Sequence, residues 1–127
     1  MRTREEGFAW LAGLLEGEGY FFMYVGKYQS VTGPRVCRSP RLAVTMTDRD
    51  IIDRVAAMTG RKVQVCRVRS GWKTTYRVTV CGDQAAKLMR EILPWMGERR
   101  SRRIQEILDD HLAYKLNKSR SVWMQAA

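Results

Sequence analysis

The sequence predicts an α+β domain of order αββαββα, with a four-stranded antiparallel sheet packed on helices and one more helix closing the chain. Three observations predict it. Apolar residues recur at helical spacing in four separate stretches. Two pairs of β-rich segments fall between the first three of those stretches, so the chain reads as an αββ unit written twice. Cap, turn and breaker residues stand at the joints: Thr3, Gly60, Ser70-Gly71 and Pro94.

Each element has its own warrant. Thr3-Arg4-Glu5-Glu6 is a capping box, and the helix it opens runs to about residue 16 or 17. Residues 20–28, rich in aromatic and branched side chains, form a strand, followed by a loop through Ser30, Gly33 and Pro34. Residues 41–46 complete the hairpin: Leu42, Val44 and Met46 face the core, Arg41, Ala43 and Thr45 face away. Thr47 or Asp48 caps a second helix, with Ile51, Ile52, Val55 and Met58 on one face and Gly60 at its end.

The second hairpin joins 62–69 to 73–81. Tyr76, Val78 and Val80 alternate with Thr75, Arg77 and Thr79, whereas the first arm has apolar residues on both faces and calls for a bulge. Asp83 caps a third helix through Leu88, Met89 and Ile92, stopped by Pro94. A fourth helix spans about 98–116, with Ile104, Ile107, Leu108 and Leu112 on its core face. The 127 residues fit one domain, 1–127, with a core over about 3–116 and a basic tail from 117 that shows no clear period.

Lys and Arg number 23 against 13 Asp and Glu, a formal charge of +10. That balance favours a polyanionic partner, nucleic acid first. Cys37, Cys66 and Cys81 have neither zinc spacing nor a disulfide framework and read as small buried residues in strands. The lone His111 is assigned no role. The chain shows neither an apolar run of membrane-spanning length nor a signal-peptide pattern, so an intracellular protein without a membrane role is expected.

With helices on one face of the sheet, the other carries Tyr20, Phe22, Tyr24, Tyr28, Arg41, Thr45, Thr75 and Arg77, with Arg67 and Arg69 on the neighbouring arm. Basic, hydroxyl and aromatic groups on a wide sheet suit a DNA groove, although a solvated face would read similarly.

The first helix is unusual because it is apolar nearly all round. Phe8, Leu11, Ala12 and Leu15 make one stripe, and Ala9, Gly13 and Gly17 make a second, spaced by four. Interior glycines cost about 0.5–1 kcal/mol each relative to alanine. Close approach of a second helix would offset that, which points to a homodimer across Ala9, Gly13 and Gly17. Glu16 and Glu18 end this helix, where acids oppose the macrodipole. Either divalent cations neutralise them or they are simply two exposed acids.

The segment Leu11-Ala12-Gly13-Leu14-Leu15-Glu16-Gly17-Glu18-Gly19 resembles the signature of the LAGLIDADG homing endonucleases, and with the element order the likeness covers roughly residues 3–116. The resemblance implies a site-specific endonuclease that reads DNA with its sheet, hydrolyses both strands of a long pseudo-palindrome with Mg²⁺ (Mn²⁺ as a substitute), and leaves 3′ overhangs. One signature per chain implies a homodimer and no small-molecule cofactor. By position, Glu18 matches the metal-binding acid and the Gly17 carbonyl the adjacent metal contact. Asp48 matches a polar residue that organises active-site water. Arg99 aligns with a basic residue, usually Lys, near the scissile phosphate, and Arg100 or Arg102 could take that role. Relatives that bind DNA as regulators, or intron RNA as maturases, define the alternative of a member that does not cut. A monomeric interaction domain without nucleic-acid affinity is a third class.

Overall fold

The computed structural model describes residues 3–67 and 71–126, with only the backbone from 119 onward. The described residues form helices α1 (Arg4–Glu18), α2 (Arg49–Thr59), α3 (Gly82–Ile92) and α4 (Glu98–Ala126), with a 3-10 turn, Leu93–Trp95, between the last two. The strands are β1 (Gly19–Ser30), β2 (Gly33–Met46), β3 (Gln64–Cys66) and β4 (Thr75–Cys81). They make one antiparallel sheet in the order β1-β2-β4-β3.

Local chemistry explains the boundaries. Thr3 Oγ1 accepts the Glu6 N–H at 3.1 Å, satisfying one of the unpaired donors of α1. Gly60 closes α2 at φ 70°, a left-handed conformation that costs glycine little. Pro94 halts α3, and the chain tightens into the 3-10 turn that contains it.

The alternation along β2 and β4 sorts the two faces of the sheet. Leu42, Val44, Val78 and Val80 are buried against Leu11 and Leu15 of α1, Ile52 and Val55 of α2, Met89 and Ile92 of α3, and Ile104 and Ile107 of α4. All four helices therefore serve one layer of core. No helix among the described residues covers the opposite face.

Several expectations change. Residues 29–40 are strand, apart from a tight turn at 31–32, because β1 and β2 pair in unbroken register from Gly19↔Val44 to Ser30↔Gly33. Ser30 Oγ donates to the Gly33 carbonyl at 2.8 Å and seals that turn. The arm expected over 62–69 shortens to three residues, and the conflict between its faces goes with it. Val65 opposite Tyr76 lies on the helix side, while Gln64 and Cys66 lie on the open side. Val68, Arg69 and Ser70 lie outside the described residues.

Asp83 sits inside the first turn of α3 rather than capping it; Cys81 is the N-cap. The Asp83 carboxylate instead meets His111 Nε2 at 3.1 Å and Lys115 Nζ at 2.5 Å on α4. The buried line of α4 is Ile104, Ile107 and His111. Leu112, one residue and about 100° further round, is 59% exposed. In α2, Ile52 and Val55 are the buried pair and Met58 is exposed. The helix expected to stop near 116 continues in backbone through the expected tail to Ala126. The three cysteines are free and half-buried rather than core residues, since their register puts them on the open face.

Candidate functional site

The site begins where α1 becomes β1. Gly19 takes an extended conformation (φ −76°, ψ 150°) while its N–H still donates to the Leu15 carbonyl. A Cβ there would lie 2.6 Å from that carbonyl oxygen, so only glycine allows so abrupt a change from helix to strand. Glu18 is consequently the last helical residue, and the open face of the sheet starts at Tyr20.

A groove on that face is lined by Glu18, Tyr20, Phe22, Arg41, Ala43, Thr45, Gln64, Arg77 and Thr79. Five residues expected on the nucleic-acid face, Tyr20, Phe22, Arg41, Thr45 and Arg77, thus share one wall system with Glu18. Tyr20 and Phe22 stack with centroids 5.0 Å apart. The Arg41 guanidinium lies 3.9 Å over the Tyr24 ring, and its Nε is buried without a hydrogen-bond partner among the described residues. Arg77 Nε donates to Thr45 Oγ1 at 3.0 Å, which leaves its two terminal amino groups for another partner. Two arginine forks held by an aromatic ring and a hydroxyl are pre-organised donors.

Tyr28 is exposed further along β1, and Thr75 lies opposite Cys66 at the far edge. Arg67 is exposed just beyond β3, and Arg69 lies outside the described residues. Gln64 and Thr79 were missed. Thr79 shows in the alternation of β4, but the polar side of β3 is legible only once its pairing with β4 is known.

Glu16 and Glu18 have different surroundings. Glu16 Oε2 accepts the Gly97 N–H at 3.2 Å, at the start of α4. A carboxylate there complements the positive end of a helix dipole. Glu18 is exposed and makes no hydrogen bond or ion pair among the described residues. Among the described residues no cluster of three or more His, Cys, Asp or Glu could hold a metal. The exposed Glu18 carboxylate and the backbone carbonyl of adjacent Gly17 would be at most part of an oxygen set for Mg²⁺, with water and phosphate supplying the rest.

The basic run at the start of α4 also divides. Arg100 Nη1 donates to the Gly19 carbonyl, and its guanidinium lies 5.8 Å from the Phe21 ring centre. Arg102 pairs with Glu98 and Arg103 with Glu106. Arg99 is exposed and has no partner among the described residues. Asp48 caps α2 with its backbone carbonyl alone, so its carboxylate is likewise uncommitted. The start of β1 pairs with Val44, so Asp48, four residues on, lies at the same end of the sheet as Glu18.

The outward face of α1 is open. Gly13 and Gly17 are exposed, and a Cβ at either would meet nothing within 4 Å. Ala9 is half-buried beside them. A shallow pocket flanks this stripe, lined by Ala9, Trp10, Gly13 and Leu14 from α1 and by Asp50, Ile51 and Arg54 from α2.

The sequence matches no protein-family model and no curated protein. The fold does have solved neighbours. The homing endonuclease I-CvuI, in complex with the I-CreI target in the presence of 2 mM Mg with the DNA not cleaved, superposes with a TM-score of 0.67 at 20% identity, over 97% of this chain and 76% of that one. The group I intron-encoded homing endonuclease I-CeuI, complexed with DNA, gives 0.64 at 18% identity, over 94% of this chain and 60% of that one. The homing endonuclease I-TnaI gives 0.59 at 15% identity, over 92% and 77%. LAGLIDADG meganucleases bound to uncleaved DNA superpose as well.

This chain has the LAGLIDADG homing-endonuclease fold. Its own LAGLIDADG-like segment, Leu11–Gly19, is the second half of α1 and the turn into β1. The helix-free face of the LAGLIDADG sheet is the face that carries the arginine and aromatic groove. No helix among the described residues is long and apolar enough to cross a membrane.

Proposed function

We propose that two copies of this chain form a sequence-specific, divalent-metal-dependent endonuclease for a long pseudo-palindromic double-stranded DNA site. The observation that carries the reading is the uncommitted Glu18 carboxylate at the rim of a basic, aromatic groove, in a fold whose solved neighbours include DNA complexes. β1 has 12 residues, which span about 40 Å in a strand, roughly the rise of a dozen base pairs. A dimer would cover about twice that length.

The dimer would pair the open faces of α1, with Ala9, Gly13 and Gly17 at the contact. It would bring the two Glu18 carboxylates and Gly17 carbonyls together, and these would hold Mg²⁺ with phosphate oxygens and water. Bound there, the metal supplies charge neutralisation and water activation. The chain's own residues do the remainder. Arg99 offsets developing charge on the phosphate, and Asp48 orients water by accepting its hydrogen bonds. Arg41 and Arg77, with Tyr20, Phe22, Tyr24, Tyr28, Thr45 and Thr75, engage the groove, and hydrolysis of both strands leaves 3′ overhangs.

Cleavage of a randomised pseudo-palindromic library tests this, with wild type and Glu18→Gln compared in Mg²⁺ and in Ca²⁺. Wild type should cut selected sites in Mg²⁺, while Glu18→Gln should bind them and cut at least about a hundredfold more slowly. Selective binding without cutting by wild type in either metal would make the protein a DNA-binding regulator. Preference for structured RNA would make it a maturase.

A further inference from the structure

β2 outruns β4. Their pairing ends at Arg41↔Cys81, and beyond it β1 and β2 continue to the turn at 31–32 as a two-stranded ribbon. Such ribbons are marginally stable alone and twist more than full sheets, so their direction must be set from their base.

Two contacts do so on consecutive residues, where β4 gives out. Ser39 Oγ accepts the Gly82 N–H at 3.1 Å, at the start of α3. Arg38, on the helix side, grips Asp110 of α4 with both arms of its fork: Nε to Oδ1 at 3.2 Å and Nη2 to Oδ2 at 2.6 Å. The pair is 72 residues apart in sequence and only about a third exposed on each side chain. Asp83, beside Gly82, meets His111 and Lys115 on α4 and joins the two anchors.

The free part of the ribbon, from Tyr24↔Ser39 to its end, is about seven residues or about 23 Å long. A tilt of about 10° at the base would carry its tip about 4 Å, more than the ~3.4 Å rise of one base pair. Tyr28 and Arg35, about 13 Å out on the groove side, would shift by about 2 Å, most of one base-pair step, while Tyr24 at the base would stay in place.

We propose that the Arg38–Asp110 pair is a specificity-determining strut: it fixes the angle of the β1–β2 ribbon against α4 and thereby sets which outer base pairs of each half-site are read. This rests on the DNA-reading function proposed above. Arg38 and Asp110 touch no base; they are positioning residues.

The test is a position-by-position specificity profile of the full chain over a library randomised across the whole half-site. It compares wild type, Arg38→Ala, Asp110→Ala and the charge swap Arg38→Asp with Asp110→Arg, with melting followed in parallel. A mismatched pair ordinarily costs about fivefold to a hundredfold in affinity. The single variants should lose about that discrimination at the outer positions and keep it at the inner ones beside Glu18. The swap should restore outer discrimination.

Outer preferences unchanged in both single variants, or a loss spread equally over all positions, would overturn the strut and leave the DNA-reading function standing. A wild type with no sequence preference anywhere would overturn both.

Discussion

Glu16 and Glu18 are chemically alike and two residues apart, yet their side chains leave the helix end about 200° apart. One reaches the Gly97 amide and ties α1 to α4, and the other stays uncommitted at the groove. The arginines of α4 divide in the same way. Arg100 is spent on the Gly19 carbonyl, Arg102 and Arg103 on acids of their own helix, and Arg99 on nothing among the described residues. A guanidinium already paired keeps free N–H groups but is held beside its partner, whereas an unpaired one can turn toward a phosphate. Arg99→Ala should therefore slow single-turnover cleavage about a hundredfold with little change in urea stability. Arg100→Ala should lower stability by about 1–2 kcal/mol, because it removes the hydrogen bond from α4 to the helix-to-strand turn. Equal effects of the two on cleavage, with neither changing stability, would remove the special role of Arg99. Four arginines within five residues are indistinguishable by composition; only their partners separate them.

At the scale of elements, α3 and α4 are joined by a polar contact that a capping assignment for Asp83 would not suggest. The hydrogen bond from Lys115, then that from His111, holds the Asp83 carboxyl below its ordinary range. A carboxyl with a depressed folded pKa stabilises the fold above its unfolded value, and that contribution is lost as pH falls through the folded value. Asp83→Asn should thus lower the melting temperature near neutral pH. The gap to wild type should close as pH drops below about 4, the ordinary range of a free Asp. A gap independent of pH would mean the contact acts through packing alone. Residues 29–40 contain Gly33, Pro34 and Pro40, ordinary loop signals, yet all are in strand. In the ribbon Pro34 and Pro40 need no partner beyond β1, whereas in the middle of a sheet they would interrupt a second ladder.

At the scale of the whole molecule, a single chain presents an incomplete site and an open helix face. The space beside Gly13 and Gly17 leaves room for a side chain or a second helix. In an isolated chain Gly13→Ala meets no atom and gains helix propensity, so it should stabilise by roughly 0.5–1 kcal/mol. If a second α1 packs there, the added methyl separates the helices, and the variant should dissociate at concentrations where wild type is dimeric. Sedimentation and denaturation of the two proteins across a concentration series decide it. A stabilised variant with unchanged mass would assign this face to something other than self-association. The charge of +10 is a further property of the whole chain, and it suits a long polyanionic ligand.

The helix caps at Thr3 and Gly60, the stop at Pro94, the alternation of β2 and β4, and hence the buried face of the sheet, are legible in the amino-acid order alone. Each follows from local stereochemistry or a two-residue period. So is the signature at Leu11–Gly19, whose last glycine is required by the turn into β1. The lengths of β1 and β2, the pairing of β3, the partners of Asp83, and which of the two acids and four arginines are left uncommitted all come from long-range packing. Those outcomes depend on contacts between residues as far apart as Glu16 and Gly97 or Arg38 and Asp110, and no local pattern encodes a partner that distant.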